Sequence, residues 1–291
     1  MKVEPIDIRS ILTRSSGYLQ SVCSHSLQPY RGCGLGQSLC GVGCYARHQQ
    51  FLVKGREWGR FLDYKPNAAE IYCKTFDAEK NWARRTHGHM AIFCSSSTEP
   101  FPPQEKQLGI TQACLAAMLE KPPDSLILQT HSHFVADHLA LLSELDKKCR
   151  LRIQISIETD RATMPELPGH FSSIDRRINA CEILHRSGLN VVVTVSPLLP
   201  IKNPDCFFRT LSQVAGAIVI DHYIGGDGSK NGSRTLKTPL PSSMKAVEPT
   251  SVSLSYRDKM ACIAHQYLPG KVGLGIEGFA GRYLFQPDKN D

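Results

Sequence analysis

Short apolar runs alternate with longer amphipathic segments along most of the chain. The apolar runs are rich in β-branched and aliphatic side chains, which is typical of buried strands, and the amphipathic segments have the period of surface helices. The predicted strands are Tyr18–Cys23, Met90–Cys94, Ser125–Gln129, Leu151–Ile157, Val191–Ser196, Ala217–His222 and a last extended piece at Val272–Ile276. The predicted helices are Asn67–Arg85, Gln104–Glu120, Phe134–Cys149, Ser173–Ser187, Pro204–Val214 and Tyr256–Gln266.

This alternation predicts an α/β fold in which a parallel sheet is joined by crossover helices. The number of strand–helix units favours a partial (β/α)6-type barrel in a single domain, with a doubly wound open sheet as the second interpretation. Barrels carry their chemistry on the loops that follow the strands, so the residues after each apolar run are the candidate site.

Three regions are predicted along the chain. Residues 1–27 form an N-terminal segment with the first strand, and residues 28–224 form the core. Residues 225–291 form a C-terminal extension with a helix and a strand. The extension begins with a stretch rich in Gly, Ser, Pro and Lys, residues 225–250, which is typical of a flexible loop.

Composition narrows the class of protein. The chain has 291 residues, of which 41% are hydrophobic and 21% charged, and this excludes a disordered or collagen-like chain. No apolar run approaches the roughly 20 residues that span a bilayer, and the first residues do not resemble a signal peptide. We therefore expect a cytoplasmic protein without a membrane segment. The net charge of +7 permits contact with nucleic acid but does not require it.

Three of the 11 cysteines stand apart from the rest. Cys33, Cys40 and Cys44 lie in a glycine-rich segment with the spacing C-x6-C-x3-C, and reduced thiols are expected inside a cell. Three thiolates suit zinc or an iron–sulfur cluster. Zinc normally takes a fourth ligand, for which Cys23, His25 and His48 are the candidates. The alternative is a cluster with three protein ligands and one open iron.

The flanks of these cysteines resemble a known family. Tyr30–Cys33, Cys44–Arg47 and Lys65–Glu70 follow one another as in the radical S-adenosylmethionine (radical SAM) proteins related to spore photoproduct lyase. The resemblance extends in order over roughly residues 28–205. That family usually has the spacing C-x3-C-x2-C with an aromatic residue before the last cysteine, whereas this chain has a longer loop and Gly43 at that position.

The resemblance implies a radical SAM barrel and its cofactors. Cys33, Cys40 and Cys44 would hold a [4Fe–4S] cluster whose open iron binds S-adenosylmethionine, and reductive cleavage would give a 5′-deoxyadenosyl radical. It also implies a lyase-like reaction on a nucleic acid or nucleotide-like substrate, with a flavodoxin or ferredoxin as electron donor. Two alternatives remain open: a zinc-stabilised binding protein, and a radical SAM enzyme that acts on a peptide or small metabolite.

The resemblance also suggests site residues at the strand ends. Arg177 would pair with the methionine carboxylate, Cys94 is the candidate hydrogen-atom donor, and Tyr45 matches a tyrosine of the family. The candidates for S-adenosylmethionine binding are Ser96, Ser97, Thr98, Glu99, Ser156, Glu158, Thr159 and Arg177. His131, His133 and Asp221–Tyr223 also fall at strand ends, where they either contact substrate or serve as satisfied loop residues.

Overall fold

The computed structural model describes residues 1–287. The strands are β1 (Lys2–Pro5), β2 (Leu12–Arg14), β3 (His25–Leu27), β4 (Tyr30–Gly32), β5 (Phe61–Tyr64), β6 (Ala91–Cys94), β7 (Ser125–Thr130), β8 (Arg150–Ser156), β9 (Val191–Val195), β10 (Ala217–Ile220) and β11 (Val272–Leu274). The helices are α1 (Leu39–Gly43), α2 (Gln50–Val53), α3 (Ala68–His87), α4 (Glu105–Leu108), α5 (Ile110–Glu120), α6 (Leu139–Asp146), α7 (Ile174–Arg186), α8 (Pro204–Val214), α9 (Tyr223–Gly226), α10 (Leu240–Val247), α11 (Leu254–Tyr267) and α12 (Gly275–Phe279).

The main sheet has the order β2-β3-β6-β7-β8-β9-β10-β11. All neighbours from β3 to β11 pair in parallel, and β2 pairs antiparallel to β3 at one edge. Because the strand order follows the chain order without a reversal, the sheet has no switch point of the doubly wound kind. The predicted partial barrel is therefore confirmed, and β2 and β11 are its open edges.

The two faces of this sheet have different coverings. Ile92, Leu128 and Ile155 belong to the large core between the sheet and its helices. On the concave face, Phe279 of α12 packs with apolar side chains of β6, β7, β9 and β10. Arg152 of β8 donates a hydrogen bond to the Phe279 carbonyl. The C-terminal segment thus fills the lower part of the half-barrel and leaves its upper part, at the carboxyl ends of the strands, for a site.

The prediction of a first strand at Tyr18–Cys23 is wrong. A 3-10 helix covers Gly17–Ser21, and the first parallel strand of the main sheet is β3 instead. The apolar letters mislead because β3 contains His25, a fully buried histidine. Its ring hydrogen-bonds to Ser24 and to Glu79 of α3, and these partners allow a polar side chain to enter the core.

Two other regions differ from their prediction. The helix expected over Gln104–Glu120 is broken at Gly109, which has a φ of 61° and begins a new helix, α5. The flexible loop expected over residues 225–250 contains α10, whose Leu240 and Met244 are buried in a cluster with Leu39. Part of the predicted loop is therefore packed structure. Within residues 1–287, no helix is long and apolar enough to cross a membrane.

Candidate functional site

The cysteine segment leaves the short strand β4, which pairs with β5 in a small separate sheet, β1-β5-β4. The segment then turns back on itself at a glycine contact. A Cβ on Gly41 would lie 2.2 Å from the Cα of Gly36, and a Cβ on Gly36 would lie 2.3 Å from the Cα of Gly59. The glycines therefore permit a close backbone approach that no other residue allows.

The last part of the segment is anchored to α10. A Cβ on Gly43 would lie 2.5 Å from Leu240 Cδ2, so the Leu240 side chain occupies the space that a side chain at position 43 would need. The Arg47 guanidinium donates to the Val42 carbonyl at 2.9 Å. Gly43, where the family pattern has an aromatic residue, therefore has a packing reason. The apolar side chain beside this position comes from Leu240 of α10.

The three cysteine thiols lie close enough to affect one another electrostatically. Burial raises the pKa of Cys33 to about 12 and also raises the pKa values of Cys40 and Cys44. The charge of Cys44 raises the pKa of Cys33 and of Cys40 further. Thiols in this state hold their protons at neutral pH, so a bound metal would have to displace them.

The described residues do not show the arrangement that a single zinc ion requires. Zinc would draw its thiolates to about 2.3 Å from one centre, and residues 1–287 contain no group of three or more His, Cys, Asp or Glu side chains placed to hold one metal ion. In a cubane each thiolate binds a different iron, so the sulfurs stand farther apart. Of the candidate fourth ligands, Cys23 packs against Ala91 and His25 pairs with Glu79, whereas His48 Nε2 is buried without a hydrogen-bond partner among residues 1–287.

A cavity of about 640 Å³ lies between the cysteine segment and the carboxyl ends of the strands, a volume typical of ligand pockets. Cys40, Cys44 and Tyr45 line its upper side, and Phe279 of α12 is among its lining residues. Four of the predicted cofactor-binding residues also line it, namely Ser96, Ser97, Ser156 and Glu158. The structure therefore brings half of the predicted binding set to one cavity with two of the cysteines.

Glu158 is the centre of a buried ionic network after β8. Its Oε2 accepts a hydrogen bond from Arg177 at 2.7 Å, and its Oε1 lies 2.8 Å from His131 Nδ1. Burial alone would raise the pKa of Glu158, but Arg177 and His131 lower it well below its usual range. The carboxylate therefore stays ionised at the cavity wall, where it can accept hydrogen bonds from a ligand hydroxyl or ammonium.

Arg177 itself is buried behind Glu158. Its guanidinium also donates to the Ser156 carbonyl and contacts His170 Nδ1 at 3.1 Å. It does not line the cavity, so the predicted contact with a methionine carboxylate does not match its position. In this structure Arg177 holds Glu158 in place.

The loop after β6 is organised by Glu99 and Gln28. The Glu99 carboxylate accepts hydrogen bonds from the backbone N–H groups of Phe101 and His131, at 2.9 and 2.8 Å, and from the Thr130 hydroxyl. Gln28 donates to Ser96 Oγ. In the same loop region, the Thr98 hydroxyl donates to the Gln28 side-chain oxygen, and the Tyr45 hydroxyl donates to the Ser96 carbonyl. After β8, the Thr159 hydroxyl donates to the Pro200 carbonyl. The side chains of Thr98, Glu99 and Thr159 are buried, and each is hydrogen-bonded within the protein. Their contact with a cofactor therefore stays a prediction.

Cys94 lies on the other face of the sheet. Its side chain belongs to the core beneath the helices and is 1% exposed, and burial raises its pKa to about 12. It does not line the cavity. The catalytic role predicted for Cys94 therefore does not match its position. Tyr45 does line the cavity, beside Cys44, and its hydroxyl positions the loop that carries Ser96.

Several polar residues of the cavity were not singled out from the sequence. Gln129 Nε2 donates to Ser156 Oγ at 2.9 Å and to Thr194 Oγ1 at 3.1 Å, while Gln129 Oε1 is buried without a partner in the part of the chain that the structure describes. Gln129 and Thr194 are polar letters inside apolar strands. That break in the pattern was the signal available, because a buried polar side chain needs a partner or a ligand.

Asp221 closes the opposite wall, after β10. It is 7% exposed and lines the cavity, and its carboxyl group accepts a hydrogen bond from Ser196 Oγ at 3.3 Å. Burial raises the pKa of Asp221 to about 7, against the opposing effects of Ser196 and Arg257. Tyr18 also lines the cavity, and its hydroxyl is buried without a hydrogen-bond partner among residues 1–287.

Four basic side chains lie in and near the cavity lining, and we call Arg47, His48, Arg234 and Lys237 the basic rim. Burial lowers the pKa of His48, and the charges of Arg47, Lys237 and Arg234 lower it further. Arg234 lines the cavity. Phe51 also lines it and is 68% exposed, which is unusual for a large aromatic side chain.

Comparison with known proteins identifies the fold. No family model matches the chain, and no curated protein matches it by sequence. A cysteine-to-serine variant of spore photoproduct lyase is similar in structure, with a TM-score of 0.64, 14% sequence identity, and coverage of 94% of this chain and 81% of the lyase. A cysteine-to-alanine variant with a dinucleoside spore photoproduct has a TM-score of 0.63, 13% identity, and coverage of 94% and 80%. A double variant of the lyase with bound AdoMet and dinucleoside spore photoproduct has a TM-score of 0.61 and 12% identity, with coverage of 94% of this chain and 80% of the lyase. This chain therefore has the fold of spore photoproduct lyase over nearly its whole length.

Proposed function

We propose that this protein is a radical SAM enzyme in which Cys33, Cys40 and Cys44 hold a [4Fe–4S] cluster and the cavity binds S-adenosylmethionine. The observation that carries the proposal is the position of the three thiols. They lie together on a glycine-rich segment, and two of them line a cavity at the carboxyl ends of a sequential parallel half-barrel. This edge is where such barrels place their chemistry.

The cluster and S-adenosylmethionine supply reductive cleavage of the sulfonium bond when both are bound, and a flavodoxin or ferredoxin is the proposed electron donor. The chain's own residues bind and orient. Glu158, held ionised by Arg177, accepts hydrogen bonds from S-adenosylmethionine, and Ser96, Ser97 and Ser156 offer hydroxyls on the same cavity. The cysteine segment and α10 shield the cavity from water, which protects a reactive radical.

We further propose a nucleic acid or nucleotide-like substrate. The basic rim places the cations of Arg47, Arg234 and Lys237 around His48, where they can contact phosphate groups. Phe51 presents an exposed ring beside the rim, and such rings serve as stacking platforms for bases. A peptide or a small metabolite gives no comparable reason for cations and an exposed ring at the cavity mouth.

Anaerobic reconstitution with iron and sulfide tests the proposal. The wild-type protein is expected to bind about four irons, to absorb near 400 nm, and to release 5′-deoxyadenosine from S-adenosylmethionine with dithionite as reductant. Cys40→Ala should lose both the cluster absorbance and 5′-deoxyadenosine formation. Cys206→Ala is the matched control, because Cys206 is exposed and distant in sequence from the segment. Equal product formation by wild type and Cys40→Ala would refute the ligand assignment.

A further inference from the structure

We propose that residues 54–60, which we call the basic turn, form the docking surface for an electron-carrier protein whose redox cofactor is surrounded by acidic side chains. The proposal rests on the radical SAM function proposed above and adds the place where the electron enters. One electron passes from the carrier to the protein's cluster, so the carrier is oxidised and the cluster is reduced, and no covalent bond changes at this surface.

The cysteine segment has a cavity side and an outer side. Cys40 and Cys44 line the cavity, which the proposed function fills with S-adenosylmethionine and substrate. A protein reductant is far too large for a space of about 640 Å³. Cys33 does not line the cavity, and it packs instead in an apolar cluster with Leu35 and Trp58. An electron carrier therefore has to approach from the side of Cys33 and this cluster.

The basic turn lies against this outer side. Trp58 is part of the turn and belongs to the apolar cluster of Cys33. Gln37 Nε2 donates to the Trp58 carbonyl at 3.2 Å, and a Cβ on Gly36 would lie 2.3 Å from the Cα of Gly59. Both contacts join the turn to the loop that follows Cys33. A protein bound to the turn would therefore stand next to the chain that holds the proposed cluster.

The side chains that the turn presents to solvent are mostly cationic. Residues 54–60 contain three cations, Lys54, Arg56 and Arg60, and one carboxylate, Glu57. The Lys54 side chain is exposed and forms no hydrogen bond or ion pair within residues 1–287. Arg60 lies 3.5 Å from Glu57, but both side chains are more than half exposed, so solvent screens this pair. Lys54 and Arg60 are therefore available to an anionic partner.

Arg56 is anchored in a way that keeps an excess of positive charge. Arg56 and Arg31 both donate hydrogen bonds to the carboxylate of Asp63, at 2.9 and 2.8 Å. The Asp63 side chain is 2% exposed, whereas those of Arg31 and Arg56 are 22% and 31% exposed. Two guanidinium groups thus share one buried carboxylate, and the net charge that they leave at the surface is positive.

An acidic electron carrier fits this surface better than a nucleic acid does. The aromatic side chains in and beside the turn, Trp58 and Phe61, are 5% and 2% exposed, so they offer bases no stacking platform. Electron-transfer complexes are weak, use small interfaces, and depend on complementary charge to steer the two proteins together. A few exposed cations next to the cysteine segment meet these conditions.

Stopped-flow reduction of the reconstituted protein tests the proposal, with a reduced flavodoxin of acidic surface as the carrier and dithionite as the small reductant. Lys54→Glu combined with Arg60→Glu should slow oxidation of the flavodoxin, followed by the absorbance of its flavin, about tenfold at low salt. Calorimetry should show a matching loss of flavodoxin binding, which does not depend on catalysis. Raising the salt concentration should shrink both differences, because the charges are exposed.

Two controls show whether the effect belongs to docking. Reduction of the same variant by dithionite should stay within about twofold of wild type, since a small reductant needs no oriented docking. This arm also shows that the variant is folded and loaded. Lys147→Glu combined with Lys148→Glu makes the same charge change at two exposed lysines before β8, and it should behave as wild type with flavodoxin.

The proposal is wrong if flavodoxin binds and reduces the Lys54 and Arg60 double variant as it does wild type, or if the lysine control loses as much. It is also wrong if the double variant keeps flavodoxin binding and loses binding of a single-stranded oligonucleotide, because the surface would then belong to nucleic acid. Absence of 5′-deoxyadenosine with dithionite would refute the proposed function instead, and flavodoxin binding would still decide the docking surface.

Discussion

The two walls of the cavity carry buried carboxyl groups in opposite states. Glu158, on the β8 wall, is paired with Arg177 and His131, and its pKa lies well below its usual range. Asp221, on the β10 wall, has no ion-pair partner among residues 1–287, and burial raises its pKa to about 7. Burial is similar at both positions, so the difference comes from the partners. One wall is completed by the protein, whereas the other has hydrogen-bonding groups left for a ligand.

The largest effect is expected from breaking the β8 wall. Arg177→Met removes the partner of Glu158 and leaves a buried carboxylate unpaired, so the free energy of unfolding should fall by about 3–5 kcal/mol. Urea unfolding followed by circular dichroism measures this. Arg176→Met is the matched control, since Arg176 is the exposed neighbour on the same helix, and its effect should stay within about 0.5 kcal/mol.

A double variant makes the cause visible. Arg177→Met combined with Glu158→Gln removes the unpaired charge together with its partner, so part of the lost stability should return. If the double variant is no more stable than Arg177→Met alone, the loss is one of packing, and the account of the β8 wall as an ionic network fails.

The β10 wall should respond to pH in the opposite sense. A carboxyl group whose pKa is raised in the folded state binds its proton more tightly when folded, so its contribution to stability is full at low pH and declines between about pH 4 and pH 7. The free energy of unfolding of wild type relative to Asp221→Asn should therefore fall from pH 5 to pH 7.5. A shift of three pKa units corresponds to at most about 4 kcal/mol.

Urea titrations at both pH values measure this change. Asp137→Asn, at an exposed aspartate, serves as the control. A difference between wild type and Asp221→Asn that is constant with pH would mean that Asp221 is ionised throughout, and the contrast between the two walls would disappear.

The contrast also shows what the sequence could predict. Strands β7, β9 and β10 lie close to their predicted bounds, because their apolar runs are long and continuous. The cysteines and Glu158 were predicted as site residues from their motifs and strand-end positions, and the structure places Cys40, Cys44 and Glu158 at the cavity. The pairing of Arg177 with Glu158 was not predicted, because both residues follow β8 and the sequence does not show which way either side chain turns.

The β10 wall was harder still to predict. Tyr18 belongs to a 3-10 helix in a segment whose apolar residues predicted a strand, and it lines the same cavity as Asp221 only once the half-barrel forms. Similarly, Leu240 lies in a stretch whose composition is typical of a loop, yet it packs against Gly43. Local composition predicts local conformation, whereas the cavity depends on contacts between residues distant in the sequence.

The cysteine segment joins the two walls, and its glycines should respond unequally to substitution. Gly41→Ala places a methyl group against the backbone of Gly36, which cannot move aside, so we expect a loss of about 1–3 kcal/mol and reduced iron binding after reconstitution. Gly43→Ala meets the side chain of Leu240 rather than backbone and should cost less. Thermal unfolding and iron content measure both effects.

Leu240→Ala provides the matching test for Gly43. In the Gly43→Ala background it should restore iron binding toward the wild-type value, because the added methyl group then has space. It should not restore Gly41→Ala, whose contact is with backbone. Rescue of both glycine variants, or of neither, would show that α10 does not hold the cysteine segment in the way described.

The smallest expected effect concerns the basic rim beside the β10 wall. Lys237 is exposed, so Lys237→Ala should leave stability unchanged and weaken binding of a short single-stranded oligonucleotide a few-fold, equally for all sequences. The salt dependence of binding should fall by about one unit in the slope of log K against log salt, since one phosphate contact is lost. Fluorescence anisotropy at several salt concentrations measures both quantities.

Lys148→Ala is the control, as this exposed lysine precedes β8 at the amino end of the sheet, away from the cavity. An equal loss from Lys148→Ala would mean that binding reflects the overall charge of +7, and the rim would then have no special part in it.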